Sequence, residues 1–160
     1  MKLFKTTINL VLLILVQFSI VWAEPVGTLE LQKGIVRIRS NMVDRIIREA
    51  TEGIDVNAGD EIQTGRATRV MIRYKYQQGE TEIYSDTFYT IEKVEAEESR
   101  FGLSVGKMRF VLPRLKKALT TDKRRFRLRT ANAVIGVKGT EGVVGSKNGQ
   151  TLALTVSGVM

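Results

Sequence analysis

The chain has 160 residues, 25 of them lysine or arginine and 17 aspartate or glutamate, which gives a formal net charge of +8. It contains no cysteine and no histidine. Disulfides, zinc–thiolate sites, thiol nucleophiles and Ser-His-Asp catalysis are therefore excluded.

The first 23 residues have the pattern of a secretory signal. Lys2 and Lys5 precede an apolar run over residues 8–22, and Val21 and Ala23 are small residues where a signal peptidase reads. The run is shorter than the roughly 20 residues that span a bilayer. We expect residues 1–23 to form a cleaved signal helix and residues 24–160 to be one domain, periplasmic or secreted. An uncleaved N-terminal membrane anchor is the alternative.

Beyond that segment, apolar residues mostly alternate with basic or polar ones, as in β-strands. Glycines, among them Gly102 and Gly106, are typical turn signals between short strands. Helix is indicated only weakly, at residues 42–50 after Asn41 and at residues 114–119. The alternation predicts strands at residues 36–39, 69–76, 83–84, 88–94, 107–112, 125–129, 134–137 and 152–156.

Carboxylates are the remaining candidates for catalysis or calcium binding. They occur as Asp60-Glu61, as Glu80 with Glu82, and within residues 92–98. Neighbours on a strand point to opposite faces, and none of these groups lies in an Asp-x-Asp-x-Asp-Gly loop. We interpret them as solvated turns or faces, and predict a protein that is not an enzyme and has no metal or cofactor.

The most specific stretch is residues 126–144. Its first part alternates Phe126 and Leu128 with arginines, which predicts a half-buried strand with a basic outer face. Glycines recur every third residue from position 136 to position 145 and indicate bends or bulges. A phosphate-binding loop is not indicated, because Gly145 is followed by Ser146 and then Lys147.

Several segments, in order, resemble the FecR domain, a family of bacterial extracytoplasmic modules. The Gly-Asp-x-Ile-x-Thr turn and strand of the family resemble residues 56–65, and its signature, which ends in Gly-Val-Arg-Gly-Thr, resembles residues 127–140. Asn132 replaces the signature's frequent proline, and Lys138 its arginine. Further matching segments are residues 26–28, 34–38, 67–84 and 106–110.

The resemblance implies an all-β fold of short strands, and we favour a solenoid-like, β-helix-like stack with a β-sandwich as the alternative. It also implies a non-enzymatic role in sensing, signal regulation or scaffolding through protein–protein contact in the cell envelope. The family usually continues through another strand after residue 160. We therefore expect an open strand edge, a partner-binding site or a shortened frame there.

Positive charge is concentrated between residues 107 and 129, which hold ten lysines and arginines and one aspartate. Such a stripe is suited to an anionic envelope polymer, lipid headgroups or an acidic protein surface. The alternative is a solvated outer face balanced by the acidic residues at 92–98. Nucleic acid is not expected, because the chain carries an export signal and no aromatics interleave with the arginines. The candidate contact residues are Lys107, Arg109, Arg124, Arg125, Arg127 and Arg129.

Overall fold

The computed structural model describes residues 24–76, 79–112 and 125–159, and this part of the chain is built from β-strands without a helix. The all-β prediction is confirmed. No helix in these ranges is long and apolar enough to cross a membrane. The expected signal helix and the possible helix at 114–119 lie outside the described residues. The strands are β1 Gly27–Lys33, β2 Val36–Ser40, β3 Val43–Ile47, β4 Thr51–Val56, β5 Glu61–Thr64, β6 Arg69–Tyr74, β7 Glu80–Ile83, β8 Phe88–Val94, β9 Glu98–Val111, β10 Arg125–Thr130, β11 Val134–Lys147 and β12 Gln150–Val159.

The strands pair into two layers that share β9 and β11. The first layer has the order β4-β1-β6-β7-β9-β11-β12, and the second has the order β3-β2-β5-β8-β9-β10-β11. The first half of β9 pairs in the second layer and its last residues pair in the first layer. β11 passes between the layers at residues 138–140, where its register with β12 shifts. The register of β11 therefore shifts only between Lys138 and Gly142, whereas Gly136 and Gly145 lie in regularly paired parts of the strand.

Glycine–threonine contacts form the corners at which strands change layer. Gly106 has φ +106°, and a Cβ there would lie 2.5 Å from the Cα of Thr87. The Thr87 hydroxyl accepts the N–H of the residue after the glycine at 3.0 Å. Gly34, with φ +90°, lies on Thr68 in the same way, and that hydroxyl also accepts the following N–H at 3.0 Å. Only glycine fits such a close approach at positive φ.

The core lies between the two layers and has aromatic rings at its centre. Phe101 of the second layer lies 4.9 Å from Tyr74 of the first layer and 4.8 Å from Phe126, measured between ring centroids. Phe126 in turn lies 5.5 Å from Phe110. The hydroxyls of Tyr74 and Tyr89 are 2.7 Å apart, so each buried phenol has a polar partner. These contacts join the two layers.

Two local predictions were wrong. The weak helix at residues 42–50 is instead β3, which forms a hairpin with β2 through Asn41 and Met42. Both turn residues have positive φ, and Val43 begins a strand that is paired with β2 along its whole length. Gly102 and Gly106 do not separate strands either, because both lie inside β9, which bends at Gly106 and continues.

A solenoid-like stack is not shown by these pairings. Among the described strands, only β9 and β10 pair in parallel, and every other pairing is antiparallel. Side-chain alternation was predicted correctly in several strands, because β2 and β6 point their arginines outward and bury Val36, Ile38, Val70, Ile72 and Tyr74.

Candidate interaction surface

The predicted basic stripe is divided between the two layers. Lys107 and Arg109 lie on the outer face of the first layer, since they alternate along β9 with buried residues. Arg127 and Arg129 lie on the outer face of the second layer for the same reason. The two pairs therefore face in opposite directions and do not form one flat surface. Arg124 and the side chain of Arg125 lie outside what the structure describes.

The arginines of the second layer are matched by acidic residues. Arg129 forms an ion pair of 2.5 Å with Glu92 of β8, and Arg127 lies 3.5 Å from Glu98 of β9. Exposed ion pairs of this kind contribute little to stability, but they reduce the local excess of positive charge. This arrangement agrees with the solvated-face alternative, in which residues 92–98 balance the arginines.

The first layer carries a larger ionic network around Glu82. Arg69 lies 3.0 Å from this carboxylate, the Tyr84 hydroxyl donates to it at 2.8 Å, and Arg109 approaches it at 3.7 Å. Arg109 also bonds Glu141 through Nε at 2.9 Å, and this carboxylate raises the pKa of the arginine. Burial, with the neighbouring Glu82 carboxylate, raises the pKa of Tyr84. Both guanidinium groups are thus engaged within the molecule.

Lys107 lies beside this network and contacts the ring of Tyr84. Its Nζ stands 4.5 Å from the centre of the Tyr84 ring, a cation–π distance. Lys107 and Lys147 also line a groove of about 890 Å³ at the corner between β9, β11 and β12. Asp86 and Asn132 belong to the same lining, so the groove offers both signs of charge and neutral amide groups.

Several carboxylates of the candidate catalytic groups have structural partners. Asp60 is buried, accepts the Ser40 hydroxyl at 2.5 Å and accepts the N–H of Asn57 at 2.9 Å, which closes the turn before β5. Glu80 bonds Arg73 at 2.9 Å. Within the described ranges, acidic residues do not gather into a group of three that could hold a metal ion.

Strand β12 is the most unusual feature of the surface. It pairs with β11 on one side, and among the described strands nothing pairs with its other side. Its apolar residues are exposed, with relative accessibilities of 64% for Leu152, 55% for Leu154 and 59% for Val156. Leu152 and Leu154 are opposite Gly145 and Val143 of β11, on the outer face of the first layer.

The lack of charge distinguishes β12 from other edge strands. None of its residues from 150 to 159 is ionisable, whereas the edge strand β3 contains Asp44 and Arg45, and β4 contains Glu52 and Asp55. Charged residues protect edge strands against pairing with other chains. β12 has no such protection, and within the described ranges no strand pairs with the backbone donors and acceptors on its open side, which lie beside exposed leucines.

A two-residue turn and the hydrogen bonds of one threonine hydroxyl hold the first residues of β12 in place. Asn148 and Gly149 have φ values of +51° and +71°, and they form a two-residue turn between β11 and β12. The Thr151 hydroxyl donates to Asn132 Oδ1 at 2.5 Å and lies 2.7 Å from the Thr130 hydroxyl. These bonds tie β12 to the loop between β10 and β11 in the other layer.

From the resemblance, the sequence analysis expected an open strand edge or a partner-binding site near the carboxyl end of the chain, but it did not identify the apolar residues of β12 as exposed. The alternation of Leu152, Leu154 and Val156 is the same signal that a buried strand face gives. What distinguishes β12 is that a strand of ten residues without any charge lies at a sheet edge. The alternation does not reveal this position, because it depends on which strands pair. No protein-family model, curated protein or solved structure matches this chain.

Proposed function

We propose that the protein is a non-enzymatic binding module of the cell envelope that acts through protein–protein contact at β12. The observation that carries the proposal is the open, uncharged and apolar edge of that strand. The resemblance to FecR domains supports the same kind of role, in sensing, signal regulation or scaffolding outside the cytoplasm. The signal-like pattern of residues 1–23 supports export.

Strand addition is the mode of contact that this edge favours. An extended segment of another chain would complete the hydrogen bonds of β12 and would cover Leu152 and Leu154 on the outer face. In this mode the backbone bonds provide affinity, and the alternating side chains provide specificity. The Asn148-Gly149 turn and the Thr151 bonds fix β12 beforehand, which lowers the entropic cost of pairing.

We also infer that the module is a sandwich-like fold and not a solenoid. Two facing layers with a shared core, joined by strands that bend at glycine corners, are typical of sandwiches in which strands switch sheets. This architecture leaves β12 at the end of the first layer, where it is open to a partner.

Attachment to an anionic polymer or lipid surface is the competing proposal. The observation that favours it is the pair Lys107 and Lys147 in the corner groove, while the engagement of Arg109, Arg127 and Arg129 by carboxylates weakens it. Sedimentation with vesicles containing anionic phospholipid tests it. Attachment predicts binding that weakens steeply with salt and is lost on changing both lysines to glutamate. Contact through β12 predicts no such binding.

Site-specific photo-crosslinking in the cells that make the protein tests the main proposal. A photoreactive amino acid in place of Leu154 is expected to give a discrete covalent adduct. The same amino acid in place of Glu52, which is exposed on the charged edge strand β4, is the matched control and is expected to give none. Absence of any adduct at position 154, with the protein exported and folded, would refute contact at β12.

A further inference from the structure

We propose that β12 pairs with β12 of a second copy of this chain, antiparallel and around a twofold axis. The inference rests on the proposed function and names the partner that the same edge takes.

The hairpin turn determines which residues of β12 face the open edge. A two-residue loop joins Lys147 to Gln150, so these two residues form the first hydrogen-bonded pair between β11 and β12. Hydrogen-bonded and non-bonded pairs then alternate along an antiparallel ladder. Gln150, Leu152 and Leu154 therefore bond β11, and Thr151, Ala153 and Thr155 direct their N–H and C=O groups outward.

A twofold axis at Ala153 joins these free groups without leaving any of them unpaired. Ala153 then lies opposite its own copy, and Thr151 lies opposite Thr155 of the second copy, all as hydrogen-bonded pairs. The register ends before the irregularity of β12, whose pairing with β11 shifts between Thr155 and Ser157. The regular part of the strand is thus the part that self-pairing uses.

The same register places leucine opposite leucine on the outer face. Leu152 lies opposite Leu154 of the second copy in a non-hydrogen-bonded pair, where side chains are closest, and symmetry repeats the contact. Four exposed leucines are covered in this way. On the other face Thr151 lies beside Thr155, and such threonine pairs are favourable across strands.

The lack of charge on β12 makes this strand, and not the edge strands β3 and β4, suited to pairing with its own copy. Self-pairing of β12 brings no like charges together, because the strand has none. The edges β3 and β4 carry acidic and basic residues, so they are protected against such pairing. Since one strand edge buries less than the roughly 800 Å² per partner of a standard interface, we expect a dimer of about micromolar affinity.

Analytical ultracentrifugation of the purified protein measures directly whether two copies associate. The unaltered protein is expected to be dimeric at concentrations well above about 1 µM. Leu154→Lys, which places ammonium groups against the facing leucines, is expected to make it monomeric with an unchanged circular dichroism spectrum. Val43→Lys is the matched control, because Val43 is also exposed, at 64% against 55% for Leu154, but lies on β3, and it should leave the dimer intact.

A cysteine placed on the axis tests the register, since the chain has no other cysteine. Ala153→Cys is expected to be joined rapidly to a second copy by a short bismaleimide linker, and Glu52→Cys is expected to stay monomeric. If the protein is monomeric at about 0.1 mM in both assays, the proposed dimer through β12 is wrong. If the photo-crosslink at position 154 then joins a different protein, contact at β12 stands without self-pairing. If it joins nothing, both proposals fail.

Discussion

Gly106 and Gly34 show how much of this fold depends on single residues without side chains. Each combines a positive φ with backbone contact against a threonine, and each threonine hydroxyl accepts the next N–H. In Gly53 only the first condition is met, because its φ is +71° but nothing lies within 4 Å of a Cβ built there. The comparison separates the cost of backbone strain from the cost of overpacking.

Alanine substitutions measure these two costs. We expect Gly53→Ala to lower the free energy of unfolding by about 1 kcal/mol, the cost of a left-handed alanine. Gly106→Ala should cost about 2 to 5 kcal/mol, because the methyl group also displaces Thr87. Urea unfolding of both variants gives the values. Equal losses would show that the Gly106 corner yields without strain.

Tyr74 and Tyr89 predict a fall in stability at high pH. Burial raises the pKa of both phenols, and their hydroxyls are hydrogen-bonded to each other. The folded chain therefore keeps these protons at pH values where the unfolded chain loses them. Their contribution to stability is complete below about pH 10, the pKa of an unfolded tyrosine, and declines above it.

The expected slope above pH 10 is up to about 1.4 kcal/mol per pH unit for each tyrosine. Urea unfolding between pH 8 and pH 11 measures it. The double variant Tyr74→Phe with Tyr89→Phe is the control, and its unfolding free energy should fall less steeply over the same range. If both proteins have the same slope, these phenols are not the cause.

At the scale of elements, the attachment of β12 depends on a small polar cluster. Thr151 bonds Asn132 of the β10–β11 loop and Thr130 of β10, both in the other layer. Asn132→Ala removes the shared acceptor. We expect the free energy of unfolding to fall by about 1 kcal/mol. Relative to the unaltered protein, amide hydrogen exchange should accelerate more in β12 than in β9. Ala131→Ser, in the same exposed loop, is the control and should change neither. Unaltered exchange in the Asn132 variant would show that the turn alone holds β12.

Alternation predicted strand faces well because it is a local property of the chain. The inward and outward residues of β2, β6 and β10 follow directly from the two-residue period. Strand ends were harder, since Gly106 bends β9 where the sequence indicates a turn. Whether this glycine ends the strand or bends it depends on contact with Thr87, which is 19 residues away in sequence. No short segment contains that information.

The candidate surface was predictable only in part for a related reason. The positive charge near residues 107–129 is evident in the sequence, but its partners Glu82, Glu92 and Glu141 come from other strands. Pairing across layers decides whether an arginine is available to a ligand. The same holds for β12, whose exposed leucines are evident as a strand but whose edge position follows from the order of the sheet.

At the scale of the whole molecule, we expect the two layers to unfold together. β9 and β11 belong to both, and the ring of Phe101 contacts Tyr74 of the first layer and Phe126 of the second. A fully buried phenylalanine in such a position contributes to both layers at once. We therefore expect one cooperative transition, with secondary structure and tyrosine packing lost together.

Phe101→Ala tests this coupling. The cavity should lower the free energy of unfolding by about 3 to 5 kcal/mol, whereas Val134→Ala, at an exposed position of β11, should change it by less than about 0.5 kcal/mol. Far-ultraviolet circular dichroism reports the strands, and near-ultraviolet circular dichroism reports the tyrosines. Both midpoints should shift together in the Phe101 variant. Separate midpoints would mean that one layer keeps its structure without the other, and that the shared strands do not enforce a single folding unit.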